Sequence, residues 1–449
     1  MRKSDLADPP GHWIFTRVPT DRDYHRFHNI ARRVYTLEDI GDLPLGKFVF
    51  DAISNGLPES PVLFPNLHSA RFIPRDEPDP VFMRNAIRLL LLFPSSVRQL
   101  SLSTDPRSNE SCPTLLRSVA SHFSKPPSIT VYRVALTQRE REAMVELLEH
   151  NNDLHHAAIH LPIRSVVVDA LSKLPHLESL EMGTDHLLRD SQDCQRCLQQ
   201  GSFPRLKSLT IRFARDPTIL ALLTKIGAHH SLQTLRMVSH CNGFEQSDLD
   251  ASVDAVIKHR FLHHLSLRYL LIPISRASAL QAIAACAMLE SLEIDVRTTY
   301  STLPDDPPII DKVVGNLLQH LPHLTELTPS FVDELSNPLL TFRTLNMAIT
   351  YCHLLTHLTL VIDTRVPVPF TPVPHHNEVL NFSFTVSGKD DSPINDPDYV
   401  AGVLLQFCPE VEIRMKQDLQ GWYRWGDVAR VLFRVRHIFD ADIMKRRRV

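Results

Sequence analysis

The residues whose types could do metal chemistry are a cysteine pair and four histidine pairs. Cys194-Gln-Arg-Cys197 is a lone C-x-x-C, with His186 nearby. Structural zinc needs four ligands, usually two such pairs, and no second pair occurs, so these read as two loop cysteines. The histidine pairs stand at 155–156, 229–230, 263–264 and 375–376. Neighbouring side chains on a strand point to opposite faces, so His263 and His264 are badly placed to share one ion. H-E-x-x-H, G-x-S-x-G, P-loop and G-x-G-x-x-G patterns are all missing. The expectation is a non-enzymatic protein with no catalytic residue, cofactor or metal site. Lys445-Arg446-Arg447-Arg448 could serve nuclear import, but it reads as a solvated basic tail.

Composition points the same way. Lys+Arg number 48 and Asp+Glu 51, for a net charge of −3, which gives no global reason to expect nucleic acid or an anionic membrane as partner. Only 13 glycines are present, against 33 prolines. Few glycines disfavour phosphate-cradling loops, and many prolines suit a chain with many element boundaries. The seven cysteines are scattered, the start MRKSDLADPPGHW has no apolar core of a signal peptide, and IRLLLLF at 87–93 is too short to span a bilayer. Reduced thiols in the cytoplasm or nucleus are expected.

The elements that would position functional side chains announce themselves by repetition. LPHLESLEM at 174–182 returns as LPHLTELTP at 321–329. Both belong to a series: an aliphatic leading residue, then apolar residues three and five positions later. It includes Leu67-Ala70-Phe72, Val97-Leu100-Leu102, Ile129-Tyr132-Val134, Leu154-Ala157-Ile159, Leu177-Leu180-Met182 and Leu206-Leu209-Ile211. It continues through Leu232-Leu235-Met237, Leu262-Leu265-Leu267, Leu289-Leu292-Ile294, Leu324-Leu327-Pro329, Leu355-Leu358-Leu360 and Val379-Phe382-Phe384. Steps of 23 to 35 residues separate the leading positions. L-x-x-L-x-L is the strand signature of a leucine-rich repeat, whose units bury their apolar face only by stacking. Helical spacing fills the intervals Arg139–His150, Asp216–His230 and Asp311–Leu321. Pro65, Pro94, Pro175, Pro204 and Pro322 each precede a strand and end what comes before it.

The fold class expected is therefore α/β, a leucine-rich-repeat-like solenoid with parallel strands on a concave face and helices on a convex one. Its repeats are irregular, since the ninth position, ordinarily Asn or Cys, holds Arg75, Asp105, Pro162, Ala214, Leu270 and Arg297 among others. Pro329 should end its strand early. Proline-dense insertions are read at Thr298–Ile309 and Thr364–His376, and another loop at Ser387–Pro397.

Residues between the buried strand positions face solvent. Among them Arg212, Arg236 and Arg268 come from three consecutive units, with His264, Glu293 and Asp295 beside them. At about 4.8 Å per strand, three guanidiniums would span on the order of 10 Å and suit carboxylate or phosphate groups. A solvated sheet face with charges paired across strands is the competing expectation. These six are the candidate partner-binding residues, for a protein partner on the concave face.

Thr20 with Asp23 reads as a capping box for a helix striped by Tyr24, Phe27, Ala31 and Val34, which runs into a worn first repeat, Val34-x-x-Leu37 with Asp39 in its third slot. The phrase RDYHRFHNIARRVYTLEDI at 22–40, LFPNLHSARF at 63–72 and the ending WGDVARVLFRVRH at 425–437 together resemble basidiomycete fungal F-box-like proteins with a leucine-rich-repeat region. That resemblance implies a part that recognises substrates for a ubiquitin ligase. The family's F-box, which would dock a Skp-type adaptor, lies ahead of the A-R-R-V helix and is absent from MRKSDLADPPGHWIFTRVPT. A free-standing repeat scaffold outside ubiquitin transfer is the alternative. The organisation expected is a tail (1–19), the helix and degenerate repeat (20–60), the solenoid (61–386), and a closing region (387–449). That region holds a loop, a last strand and a capping helix carrying Val428, Val431, Leu432, Val435 and Phe439, with Trp422 and Trp425 covering the core.

Overall fold

The computed structural model describes residues 20–38, 62–72, 93–103, 112–123, 128–132, 137–160, 165–183, 202–212, 232–238, 256–299, 309–332, 339–360, 383–386 and 412–415, with 2–3, 13–14 and scattered single positions besides. The chain divides into two compact units, Met1–Arg212 and Phe213–Val449. Both are built from leucine-rich-repeat-like coils, so the α/β solenoid class holds.

The first unit carries β3 (Thr36–Leu37), β4 (Ser69–Phe72), β5 (Gln99–Ser103), β6 (Ser128–Tyr132), β7 (His156–His160), β8 (Ser179–Gly183) and β9 (Ser208–Arg212), each parallel to the next. A hairpin of β1 (Arg2–Lys3) and β2 (Trp13–Ile14) precedes them. Its helices are α1 (Asp21–Ala31), α2 (Cys112–His122), α3 (Gln138–His150) and α4 (Ser165–Ser172). The expected cap of α1 forms, and α3 has one of the same kind. The Asp23 carboxylate accepts from the backbone N–H of Thr20 at 2.9 Å and from its hydroxyl at 2.7 Å. Thr137 caps α3, its N–H donating to Glu140 Oε2 at 2.6 Å while the N–H of Glu140 donates back to Thr137 Oγ1 at 3.3 Å.

The second unit stacks β10 (Thr234–Val238), β11 (His264–Pro273), β12 (Ser291–Thr299), β13 (Glu326–Val332) and β14 (His357–Leu358), again all parallel. α5 (Ile309–Leu318) and α6 (Phe342–Tyr351) lie between its later strands in sequence. β15 (Ser383–Val386) pairs with β16 (Glu412–Met415) in a separate parallel sheet. Leu223 and Ile226 are helical and buried, as are Val428 and Leu432 of the expected capping helix. Val435, Phe439, Trp422, Trp425 and the loops 364–376 and 387–397 lie outside the described residues.

Two features make each coil repeatable. Its leading residues are fully enclosed: Leu67, Leu154, Leu177, Leu206, Leu262, Leu289 and Leu324 are each at most 1% exposed. At most coils the carbonyl just after the leading residue then accepts two N–H groups from the next coil. Tyr35 O takes His68 and Ser69, His155 O takes Glu178 and Ser179, and His263 O takes Glu290 and Ser291. Before the strand, Leu67, Leu206 and Leu324 donate to Phe64, Phe203 and Leu321 three residues back. Pro65, Pro204 and Pro322 therefore occupy the second position of a turn, where the fixed φ of proline helps. In one of these turns Phe203 has a φ of 61°, in the left-handed region, and is fully buried.

Several expectations change. β6 pairs Ile129 with Leu100 and Val131 with Leu102. The fourth repeat is thus Pro126-Ile129-Val131, three residues upstream of the alignment on Ile129-Tyr132-Val134. The buried Pro126 had hidden the leading position. Pro329 does not end its strand: β13 runs on to Val332, with Pro329 opposite Ile294. The N–H of Glu326 points to β12, donating to Glu290 O. Alternation turns the nitrogen of Pro329 to the other edge, where pairing with β14 stops at Leu327–Leu358, so the missing donor costs no ladder bond. β12 likewise reaches Thr299, so Thr298, read as loop, is buried strand. Finally, among the described residues the carbonyls that close a helical segment are met three residues before the leading position. There Asn151 Nδ2 donates to Leu147 O at 2.6 Å. Cys286 Sγ lies 3.9 Å from the carbonyls of Val256 and His259, and Cys352 Sγ lies 3.8 Å from that of Leu321.

Candidate functional site

All six candidate partner-binding residues reach solvent at least in part. What they meet depends on the unit. Arg212 ends the first unit, whereas Arg236, His264, Arg268, Glu293 and Asp295 belong to the second.

In the second unit, β10–β13 form a polar face in fixed register. Arg236 stands opposite Ser266, Ser266 opposite Glu293, Glu293 opposite Thr328, and Asp295 opposite Ser330. Between Leu267 and Leu270 the pairing of β11 with β12 shifts, a bulge, and Arg268 reaches diagonally back to Glu293. Arg268 Nη2 lies 2.5 Å from Glu293 Oε1, and the Ser266 hydroxyl donates to Glu293 Oε2 at 2.6 Å. Burial works against the charge on Glu293. The hydrogen bonds from Arg268 and Ser266, with the positive fields of Arg268 and Arg236, overcome it and hold this carboxyl below the usual range. Asp295 goes the other way: its burial dominates and pushes the carboxyl up, against the Ser330 hydroxyl and the Arg297 and Arg268 guanidiniums. Two carboxyl groups two residues apart on the same face of β12 are thus driven in opposite directions. Arg236 Nε is enclosed and has no hydrogen-bond partner.

His264 is exposed, one strand over from Thr234 and opposite Ser291. Its sequence neighbour His263 turns elsewhere, with Nδ1 2.8 Å from Glu290 Oε1. That hydrogen bond is the main reason the Glu290 carboxyl lies below its usual range. The pair does not converge on a common point. Among the described residues no group of three or more His, Cys, Asp or Glu side chains could hold a metal ion. Cys194, Cys197, His229, His230, His375 and His376 lie outside them. At the edge where chain enters the strands, Phe261, Met288 and Leu354 are 48%, 42% and 54% exposed, each one residue ahead of a leading leucine.

In the first unit Arg212 is engaged: its Nε lies 2.6 Å from Glu181 Oε1, and His160 Nε2 lies 3.4 Å from the same oxygen. His160, Gly183 and Arg212 share one register row. A Cβ on Gly183 would come within 2.7 Å of His160 Nδ1, so the glycine makes room for the imidazole. His160 and Gly183 escaped the sequence reading. Extending the repeat alignment one residue past its third apolar position would have set both beside Arg212.

No family model matches the sequence, and no curated protein matches it. Among solved structures the chain is similar to the leucine-rich repeat-containing protein LegL7 from Legionella pneumophila. That likeness has 11% identity and a TM-score of 0.37, and covers 72% of this chain and 92% of that one. It is similar also to TLR13 in a TLR13–ssRNA13 complex, at 11% identity and a TM-score of 0.35, over 86% of this chain. The chain spans 62% of that TLR13 chain.

Proposed function

We propose that the chain is a protein-interaction scaffold whose partner docks on the exposed strand face of the second unit. The observation that carries this is Arg236: an enclosed guanidinium nitrogen without an acceptor, on a rigid parallel sheet where Arg268 and Glu293 are already paired. That nitrogen itself is sealed, but Arg236 is only half-buried as a residue, and the open part of its guanidinium is where a partner's carboxylate or carbonyl would dock. Exposed Phe261, Met288 and Leu354 supply apolar anchors at the strand-entry edge of the same unit.

The test follows from the pairing. Reversing Arg268 would set a third negative charge against Glu293 and Asp295, so loss of binding there would be confounded by loss of fold. Arg236→Ala leaves the ion pair intact. We expect crosslinking and mass spectrometry from the native host to recover a partner with the wild type and to lose it with Arg236→Ala, at unchanged melting temperature. Equal recovery by the variant overturns the assignment of the face.

A finer reading makes that partner a ubiquitin-ligase substrate. What supports it is α1 running through Arg32-Arg33-Val34 directly into β3, the arrangement of the F-box-like proteins that the sequence resembles. Co-purification of the full-length gene product with a Skp-type adaptor and a cullin tests it, and their absence leaves the free-standing scaffold.

A further inference from the structure

We infer that His259 is an acid-sensitive latch in the second unit: the coil that enters β11 closes on its neighbours only while this imidazole is neutral. The inference stands apart from the reading above, since it concerns a buried joint and not the strand face.

The joint lies at one slot of the repeat, three residues before the leading leucine. Asn151, Cys286 and Cys352 fill that slot in their coils, and all three are fully enclosed. The two cysteines reach back to the preceding coil, Cys286 Sγ to Val256 O and His259 O at 3.9 Å and Cys352 Sγ to Leu321 O at 3.8 Å. Leu174, Phe203 and Leu321 occupy the slot elsewhere and are buried too. None of these six side chains can become a cation. His259 fills the same slot ahead of Leu262, is 3% exposed, and can.

Its backbone is part of the closure. His259 N donates to Val256 O at 2.9 Å, and His259 O accepts from Leu262 N at 3.1 Å. The ring has no such support. Among the described residues neither ring nitrogen makes a full hydrogen bond. Burial is the main influence and disfavours the charged ring; the Leu223 backbone of the coil before pulls weakly the other way, and the field of Lys258 works with burial. The imidazole is therefore held below the usual histidine range.

The groups around it supply no counter-charge. Leu223 comes from the coil before, Val256 and Lys258 from its own segment, and Cys286 from the coil after, where burial keeps the thiol protonated. Asp254 and Arg260, on the same stretch, are exposed. No carboxylate among the described residues acts on the ring. A proton placed there would be unpaired and out of water, so the ring must leave the slot to accept it. Below the ordinary histidine value of about 6.5 the open coil binds a proton that the closed coil refuses. The joint is therefore at full strength above that value and weakens as pH falls through it toward the folded value.

Because Cys286 Sγ rests on His259 O, opening the joint uncovers a thiol that reports on it. The experiment uses the full chain with Cys286 as its single cysteine and a dithiodipyridine reagent, which stays reactive in mild acid. The labelling rate of the unfolded chain is divided by that of the folded chain at each pH. Between pH 7.5 and 5.5 this protection should fall several-fold, with about tenfold as the ceiling for a ring that stays neutral when closed. The window lies above the carboxylates, and other histidines are common to all the chains compared. His259→Asn and His259→Leu place in the slot the residues that other coils carry there, and thermal melts show which variants fold. In a folded variant the fall should shrink to what the other histidines contribute. A histidine kept for shape alone would alter protection equally at both pH values. Wild-type protection that does not fall, or a folded variant that keeps the whole fall, would overturn the inference.

Discussion

At the scale of single residues, one enclosed carboxyl group ties two coils together where no ligand could reach it. Asp311 is 1% exposed, yet it accepts from the Thr341 N–H at 2.9 Å and from the Thr341 and Thr344 hydroxyls at 2.6 Å each. It stands on α5 and closes the start of α6, where Thr341 Oγ1 also accepts from Arg343 N. A carboxylate there meets the positive end of the helix and ties one coil to the next. Asp311→Ala strands three buried donors and should cost roughly 3 kcal/mol in urea unfolding, with Asp311→Asn in between. An alanine variant as stable as the wild type would show that the cap holds nothing. Asp295 is the opposite case, because burial raises its folded-state pKa above the unfolded one. The folded state then binds its proton more tightly, so the penalty is absent below the unfolded value near 4 and complete above the folded value. Asp295→Asn should therefore be more stable than the wild type at pH 7, and the advantage should vanish in melts as pH falls below about 4. Glu293 has the reverse sign: its contribution is present above the unfolded value and is lost as pH falls through the folded one.

At the scale of elements, what was legible in the sequence depended on whether the local pattern named a single structure. α3 and α5 were readable because Met144, Leu147 and Leu148, and Val313, Val314, Leu317 and Leu318, recur at three and four. The segment Ile274–Ala285 is different. It forms a 3₁₀ helix, and its enclosed residues Ala277, Leu280, Ile283 and then Cys286 recur at strict steps of three. Three residues per turn is the period of that helix, and the step of three keeps all four side chains on one line toward the core. A window tuned to 3.6 residues passes over this signal, although the residues carry it plainly. Pro329 shows the converse error. Its chemistry was read correctly, but which edge its nitrogen faced depended on where β14 stopped, and no residue of β13 encodes that.

At the scale of the whole molecule, the repeat made the fold readable, since each coil restates the same burial problem. The candidate site was half readable. The outward positions followed from alternation, but the partners did not. Arg268 meets Glu293 diagonally and not across its own row, and Arg212 meets Glu181 beside a row containing Gly183. Register is a property of two strands together. The same coupling sets how the second unit should open. Each coil gives one carbonyl to two N–H groups of the next, so a coil that loosens exposes its neighbour's ladder. Two thiols report on this. Burial pushes Cys286 up to about 11 and Cys352 up to about 12, so neither is a thiolate in the closed state and labelling requires opening. In a chain keeping only these two cysteines, thiol reagent at pH 8 should react orders of magnitude more slowly than after unfolding. Leu280→Ala, which empties a fully buried position in the coil of Cys286, should cost roughly 3 kcal/mol. If the coils open together, that substitution speeds labelling of Cys352 as much as of Cys286, two strands away. Acceleration confined to Cys286 would mean that the coils open singly and that the shared carbonyl ladder does not couple them.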